Sequence, residues 1–427
     1  MRKALLVLGL AVAALAATAG TALAKNDKPV GAVYVQSNTS PNYVRVFYRN
    51  GDGSLTPAAN VFTGGNGAPL APPLGLAITD SANSVALTPD NEVLLVSNAG
   101  SNTISSFRVD SHGNIRLVDQ ISSGGIFPVS IAVTGNGPGK YLAYALNEGA
   151  TTVSTAFEGA HGSISGFKVT GGGKLKALSG TTHAITGGFN SAAIGFNGNG
   201  RVLTVTNRNT IFAFAGAPNG SISTWKVDSD GRTGSEVVTP ALGPGAPFGF
   251  AYSKSDQLLV SNNGTFEGGV GSASSYAVNS RNAAVTGVDD QPSGSVTCWA
   301  VVTKDGKYAY FSSVGPPGPI SGEGSLSGFS LANNGHLTNL FIQPTAGGGG
   351  LDIGLSRDSK YLYQLSTDLD FLAGINEFIG NLPNITPSVF PFGDSRVTAY
   401  KVNNDGSLTL VGTVPAGTGG NSGVASF

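Results

Sequence analysis

The chain has 427 residues, a net charge of −1, only 11% charged residues and 63 glycines. So sparse and balanced a charge offers no electrostatic footprint for nucleic acid or an anionic membrane, and the glycine content suits a protein rich in turns. Cys298 is the only cysteine, which excludes an internal disulfide and a thiolate metal cage.

The first segment is expected to be absent from the mature fold. Met1-Arg2-Lys3, the apolar run from Ala4 to Ala17 and the triplet Ala22-Leu23-Ala24 have the three parts of a secretory signal. Residues 1–24 therefore read as a signal peptide, and the chain as periplasmic or extracellular. No later apolar run has the length of a bilayer span, so no membrane insertion is expected after signal removal.

From residue 32 onward every predicted element is a strand. AVYVQSN (32–38) stands alone, and then one phrase recurs: a strand with an aromatic, a polar turn and a second strand. It runs VRVFYRNGDGSL (44–55), ISSFRVDSHGNI (104–115), ISGFKVTGGGKL (164–175), ISTWKVDSDGRT (222–233), ASSYAVNSRNAA (273–284), LSGFSLANNGHL (326–337) and VTAYKVNNDGSL (397–408). The aromatics are Phe47, Phe107, Phe167, Trp225, Tyr276, Phe329 and Tyr400, spaced by 60, 60, 58, 51, 53 and 71 residues. A Gly or Asn lies six residues beyond each aromatic, where a hairpin turn needs positive φ.

A second hairpin precedes six of these phrases, as in SVALTPDNEVLLVSN (84–98) and FGFAYSKSDQLLVSN (248–262). Each unit then has four strands, a to d. The seventh a–b pair is split between the ends of the chain, with GVASF (423–427) as strand a and AVYVQSN as strand b. The pattern predicts an all-β, seven-bladed propeller over 25–427, closed by the C-terminal strand a against the N-terminal strands b, c and d.

The a–b and c–d turns are short, whereas the b–c and d–a connections are long or Gly-rich. Those latter connections share one face of the ring, and extended loops on a rigid scaffold are where sites usually lie. The longest b–c insertion is 366–395; its Phe371, Ile375 and Phe378 have helical spacing, which suggests a lid. Strand b tends to end in Asn on this face: Asn38, Asn98, Asn147, Asn207 and Asn262, with Ser313 and Ser366 in the other two units. These amides either close local turns or present donors and acceptors to a polar ligand, and Glu267 joins them on a neighbouring loop.

Ionisable residues are few on this face. Glu148 and Arg208 each directly follow a strand b Asn in neighbouring blades, and His161 lies in the loop after Glu148. A guanidinium that binds an acid, with a carboxylate and an imidazole to move a proton, makes Glu148, His161 and Arg208 the candidate catalytic set. Cys298 sits in a strand a and reads as a small buried residue. His112 and His336 fall in turns of the far face, and no histidines have metal-ligand spacing. The NGDG, DSDG and NNDG segments open like calcium loops but lack the remaining ligands. No cofactor, metal or nucleic-acid partner is expected. The expected partner is a small molecule or glycan, and the expected state a monomer.

With the repeats laid out, SVALTPDNEVLLVSNAGSNTISSFRVDSHGNIRLV (84–118) and GKYAYFSSVG with GSLSGFSLANNGHLTNL resemble blades of the seven-bladed β-propeller lactonase family. That family includes 6-phosphogluconolactonase-like proteins and carboxymuconate lactonising enzymes; the repeats are also similar to YVTN-type propeller repeats. The resemblance spans the mature chain and implies hydrolysis or isomerisation of a cyclic ester of a sugar acid or aromatic-derived acid. It also implies a His, Arg and Glu cluster on one face. Strand a carries Ser130, Ser191, Phe248, Cys298 and Leu351 where a histidine pattern is expected. The alternative is a non-catalytic exported propeller that binds a glycan, small molecule or protein.

Overall fold

Each predicted strand is short, β-branched or aromatic, and bounded by Gly, Asn or Asp, so the chain has little choice but to form hairpins. The computed structural model describes residues 28–68, 82–149, 161–209, 220–243, 245–264, 270–315, 323–345, 348–369, 392–418 and 420–427. The expected signal peptide, Glu267 and most of the long insertion, with the lid suggested there, fall outside these residues.

Seven antiparallel sheets are present, each in the order a-b-c-d. Blade 1 joins Ser422–Ser426 to Gly31–Gln36, Tyr43–Arg49 and Leu55–Phe62. Blades 2 to 7 follow in chain order. Their innermost strands are Val85–Leu87, Pro128–Gly135, Ser191–Phe196, Pro247–Tyr252, Ser295–Val302 and Gly349–Leu355. These seven inner strands touch one another in an unbroken ring. Among the described residues only the outer strand of blade 3 is interrupted, into Leu175–Ala177 and His183–Ala184. In blade 7 the b and c strands pair as far as Leu369 and Phe392, inside the 366–395 bounds read from sequence. Arg396 clamps Asp368 at the base of that hairpin with bonds of 2.8 and 2.6 Å.

Closure occurs as the split blade requires. Val33, Tyr34 and Val35 pair with Ser426, Ala425 and Val424. Arg49 fastens the seam by donating to the Phe427 carbonyl at 3.0 Å and to the Val30 carbonyl at 3.1 Å. All seven repeat aromatics are buried between blades; Phe47, for example, packs with Tyr363 and Val397 across the seam.

A hydrogen-bonded latch joins every blade to the next. The carbonyl of each c–d turn accepts a hydroxyl from the blade before it. The donors are Tyr34 to Gly113 (2.8 Å), Ser106 to Gly173 (2.5 Å), Tyr144 to Gly231 (2.5 Å) and Thr224 to Ala283 (2.6 Å). Ser275 to Gly335 (2.6 Å), Tyr310 to Gly406 (2.9 Å) and Tyr363 to Gly53 (3.2 Å) complete the circle.

One cross-strand position supplies all of these hydroxyls. Tyr34, Tyr144, Tyr310 and Tyr363 on strand b face Val46, Gly166, Gly328 and Ala399 on strand c. Where strand b has Leu95, Thr204 or Leu259, strand c supplies Ser106, Thr224 or Ser275. A long phenol on strand b or a short hydroxyl on strand c reaches the same carbonyl. Gly113 holds φ of 87°, and a Cβ there would stand 2.6 Å from that of Ala32, so the glycine is needed for both the turn and the close blade contact.

Candidate functional site at the blade 3–blade 4 seam

On the face that carries the b–c and d–a connections the backbone departs from regular pleating in every blade. At or beside the entry to each inner strand lies a left-handed residue: Asn83, Phe127, Asn190, Gly245, Val296, Gly348 and Gly423, with φ from 52° to 92°. The a–b register also shifts there in blades 3 to 7, as between Pro128 and Ser130 and between Ser191 and Ala193. Bulges of this kind turn side chains away from the alternation and gather beside functional sites.

The centre of the ring on this face is occupied by the chain itself. Ala82 donates its N–H to Ala192 of blade 4 at 3.1 Å and accepts the Ser130 hydroxyl of blade 3 at 2.5 Å. The Asn83 carbonyl accepts Ile131 N–H at 2.9 Å. The Asn83 N–H goes to the carboxyl of Asp352 in blade 7, which also accepts Val424 N–H at 3.2 Å. Asp352 is buried against backbone N–H donors, and its desolvation outweighs them, pushing the carboxyl up to about 7. Segment 82–84 thus plugs the channel mouth, which the sequence did not suggest.

Beside the plug, Glu148 and Arg208 meet. Each is the residue after the last residue of strand b in its blade, Lys140–Asn147 and Val202–Asn207, so equal register in adjacent blades carries both to one seam. Arg208 Nη2 donates to Glu148 Oε1 at 3.0 Å, with the side chains 3% and 9% exposed. Arg208 Nε donates to the Asn190 carbonyl at 3.0 Å, and the guanidinium lies 5.6 Å from the centroid of the Phe248 ring in blade 5. The pair therefore spans blades 3 and 4 and leans inward over blade 5. Burying an ion pair rarely adds stability over an apolar pair, so its retention asks for another reason.

His161 joins the same seam. Its backbone lies against Gly149, where a Cβ would stand 2.6 Å from the His161 carbonyl oxygen. Nδ1 lies 3.0 Å from the Gly188 carbonyl and 3.2 Å from that of Ile185, and the ring meets Phe189 edge-on at 6.3 Å. Two carbonyls around Nδ1 select the tautomer with the proton there, which leaves Nε2 as the acceptor of an exposed imidazole.

The strand-end amides are buried and bonded within the scaffold, to their own blades and, for Asn98 and Asn147, also to residues of the preceding blade. Asn98 Oδ1 accepts from Asn42 and Thr63 at 2.9 and 2.7 Å, and its Nδ2 donates to Ser105 at 2.8 Å. Asn207 accepts from Ser191 at 2.7 Å and donates to Ser223 at 2.8 Å. Asn262 donates to Ser274 at 2.6 Å, while Asn147 has only donor contacts of 3.4–3.5 Å. The Oδ1 atoms of Asn147 and Asn262 have no partner among the described residues. Asn38 stands one residue further along, at the register of Glu148 and Arg208, and accepts Ala68 N–H at 2.7 Å. Cys298 is buried in the apolar cluster with Phe248 and Trp299.

Comparison with known proteins agrees with this architecture. The family model "Lactonase, 7-bladed beta-propeller" matches residues 32–169, which covers the first three blades up to strand c of blade 3. A 6-phosphogluconolactonase candidate from Bacteroides uniformis is 14% identical, covers 93% of this chain and 100% of its own, and superposes with a TM-score of 0.62. The periplasmic gluconolactonase PpgL of Pseudomonas aeruginosa is 13% identical over 93% and 98% of the two chains, with a TM-score of 0.61. A hypothetical selenium-binding protein from Sulfolobus tokodaii, 12% identical over 93% of each chain, reaches 0.58. No curated protein sequence matches. At these identities the structural likeness concerns the fold.

Proposed function

We propose, from a propeller that resembles the seven-bladed lactonases, that this chain is an exported lactonase whose site is the blade 3–blade 4 seam. The observation that carries the reading is the buried Arg208–Glu148 pair, which bridges two blades at 3.0 Å beside a plugged channel. Arg208 would polarise the carbonyl of a lactone or hold the carboxylate of a sugar acid. His161, with Nε2 as acceptor, would take a proton from the attacking water. Water oxygen bonds to the carbonyl carbon, the ring C–O bond breaks, and the proton passes to the departing alkoxide, giving the open hydroxy acid. Glu148 would hold Arg208 in place and balance its charge. Lactone chemistry in the names of similar folds, gluconolactonase and 6-phosphogluconolactonase, supports the substrate class. The three-part N-terminal segment supports export.

A second reading, a non-catalytic propeller that binds a polar ligand, is favoured by the mutual neutralisation of Glu148 and Arg208. Turnover separates the two. D-Glucono-1,5-lactone hydrolysis followed in a pH-stat should fall by roughly 30- to 1000-fold in Arg208→Ala and Glu148→Gln, corresponding to about 2–4 kcal/mol of lost stabilisation. No turnover of any γ- or δ-lactone by the parent, or parental rates in both variants, would exclude the catalytic reading.

A further inference from the structure

Asn190 is built against its own interests. It is 1% exposed, yet neither Nδ2 nor Oδ1 of its side chain has a hydrogen-bond partner among the described residues. Its φ is 52°, in the left-handed region. Its backbone carbonyl is used twice, accepting Arg208 N–H at 3.2 Å and Nε–H at 3.0 Å.

Backbone geometry does not account for the amide. Asn tolerates a left-handed backbone partly because its side chain bonds locally, and here it does not. Glycine would adopt the same backbone without burying two unsatisfied groups. By strand pairing, Phe127 and Val296 fill the equivalent places in blades 3 and 6, also with positive φ, so the turn itself does not call for an amide. Among the described residues Asn190 alone combines a left-handed backbone, two orphaned side-chain atoms and a direct bond to the buried Arg208, which indicates an amide kept for a ligand.

We infer that the Asn190 amide is a specificity-determining ligand contact at the blade 3–blade 4 seam. Nδ2 donates to a carbonyl or carboxylate oxygen, and Oδ1 accepts from a hydroxyl. A hydroxy acid or its lactone offers both beside the Arg208 guanidinium. The ligand class rests on the lactonase reading, but the contact itself does not.

Gluconate binding by titration calorimetry, D-glucono-1,5-lactone turnover and melting temperature together test it. Asn190→Gly should melt roughly 1–3 °C higher, because strain and orphaned groups are removed. Its gluconate affinity should fall at least about tenfold, with KM for the lactone rising in step. Asn190→Asp keeps the shape, and should lose gluconate more than the uncharged lactone through charge repulsion. A parent that binds gluconate without hydrolysing the lactone sinks the lactonase reading and leaves this contact standing, provided Asn190→Gly weakens binding. Unchanged affinity and kinetics in Asn190→Gly, a lower melting temperature with affinity kept, or no gluconate binding by the parent overturns it.

Discussion

Asp352 shows how far burial alone can move a group. It is 4% exposed, and three backbone N–H donors fail to offset its desolvation, so its carboxyl is raised to about 7. The folded chain then holds this proton more tightly than the unfolded chain does. Its stabilising share is fully present below the ordinary carboxylate range, near pH 4, and is lost as pH rises through about 7. The loss is on the order of 4 kcal/mol at most. Guanidinium unfolding of the parent and Asp352→Asn at pH 5 and pH 8 isolates it: the parent should lose ground to the variant at the higher pH. A stability difference that stays flat between the two pH values contradicts the assignment. At this scale the sequence was partly legible. Glu148 and Arg208 could be paired in advance because each follows an Asn at the same register of adjacent strands. Asn190 and the raised Asp352 could not, since burial and a left-handed backbone are products of the assembled ring.

At the scale of elements, the repeat phrase carried nearly the whole fold. Its aromatic, its turn glycine and its strand alternation each have a local physical cause, so seven copies were readable without a structure. The latches were hidden because their donors come from strand b in four blades and from strand c in three, and no single column of the repeat holds them. Their strength is testable at blade 6. Tyr310→Phe keeps the ring but leaves the Gly406 carbonyl without its 2.9 Å donor. The expected cost is about 1 kcal/mol, read as a lower denaturation midpoint with unchanged slope. A midpoint equal to the parent's would mean that the turn carbonyl finds water as readily. Segment 82–84 was also missed, because Ala82-Asn83-Ser84 resembles any other strand entry and its role as a plug depends on blades 3, 4 and 7 being in place.

At the scale of the whole molecule, closure and function meet in the same ring. The strand Ser422–Ser426 supplies the inner edge of blade 1 and the Val424 N–H that reaches Asp352. Deleting residues 423–427 should therefore lower the melting temperature of the entire propeller rather than unfold one blade, because an open edge and a loosened plug affect every seam. A truncated chain that melts with the parent would refute that coupling. The functional claim is that ligands bind beside the ring's plugged centre, at the seam of blades 3 and 4. The direct measurement is a crystal structure of the protein soaked with gluconate. Density is expected within hydrogen-bonding distance of Arg208 and the Asn190 amide, with segment 82–84 still in place. Gluconate seated in the central channel with that segment displaced, or on the opposite face, would contradict the account.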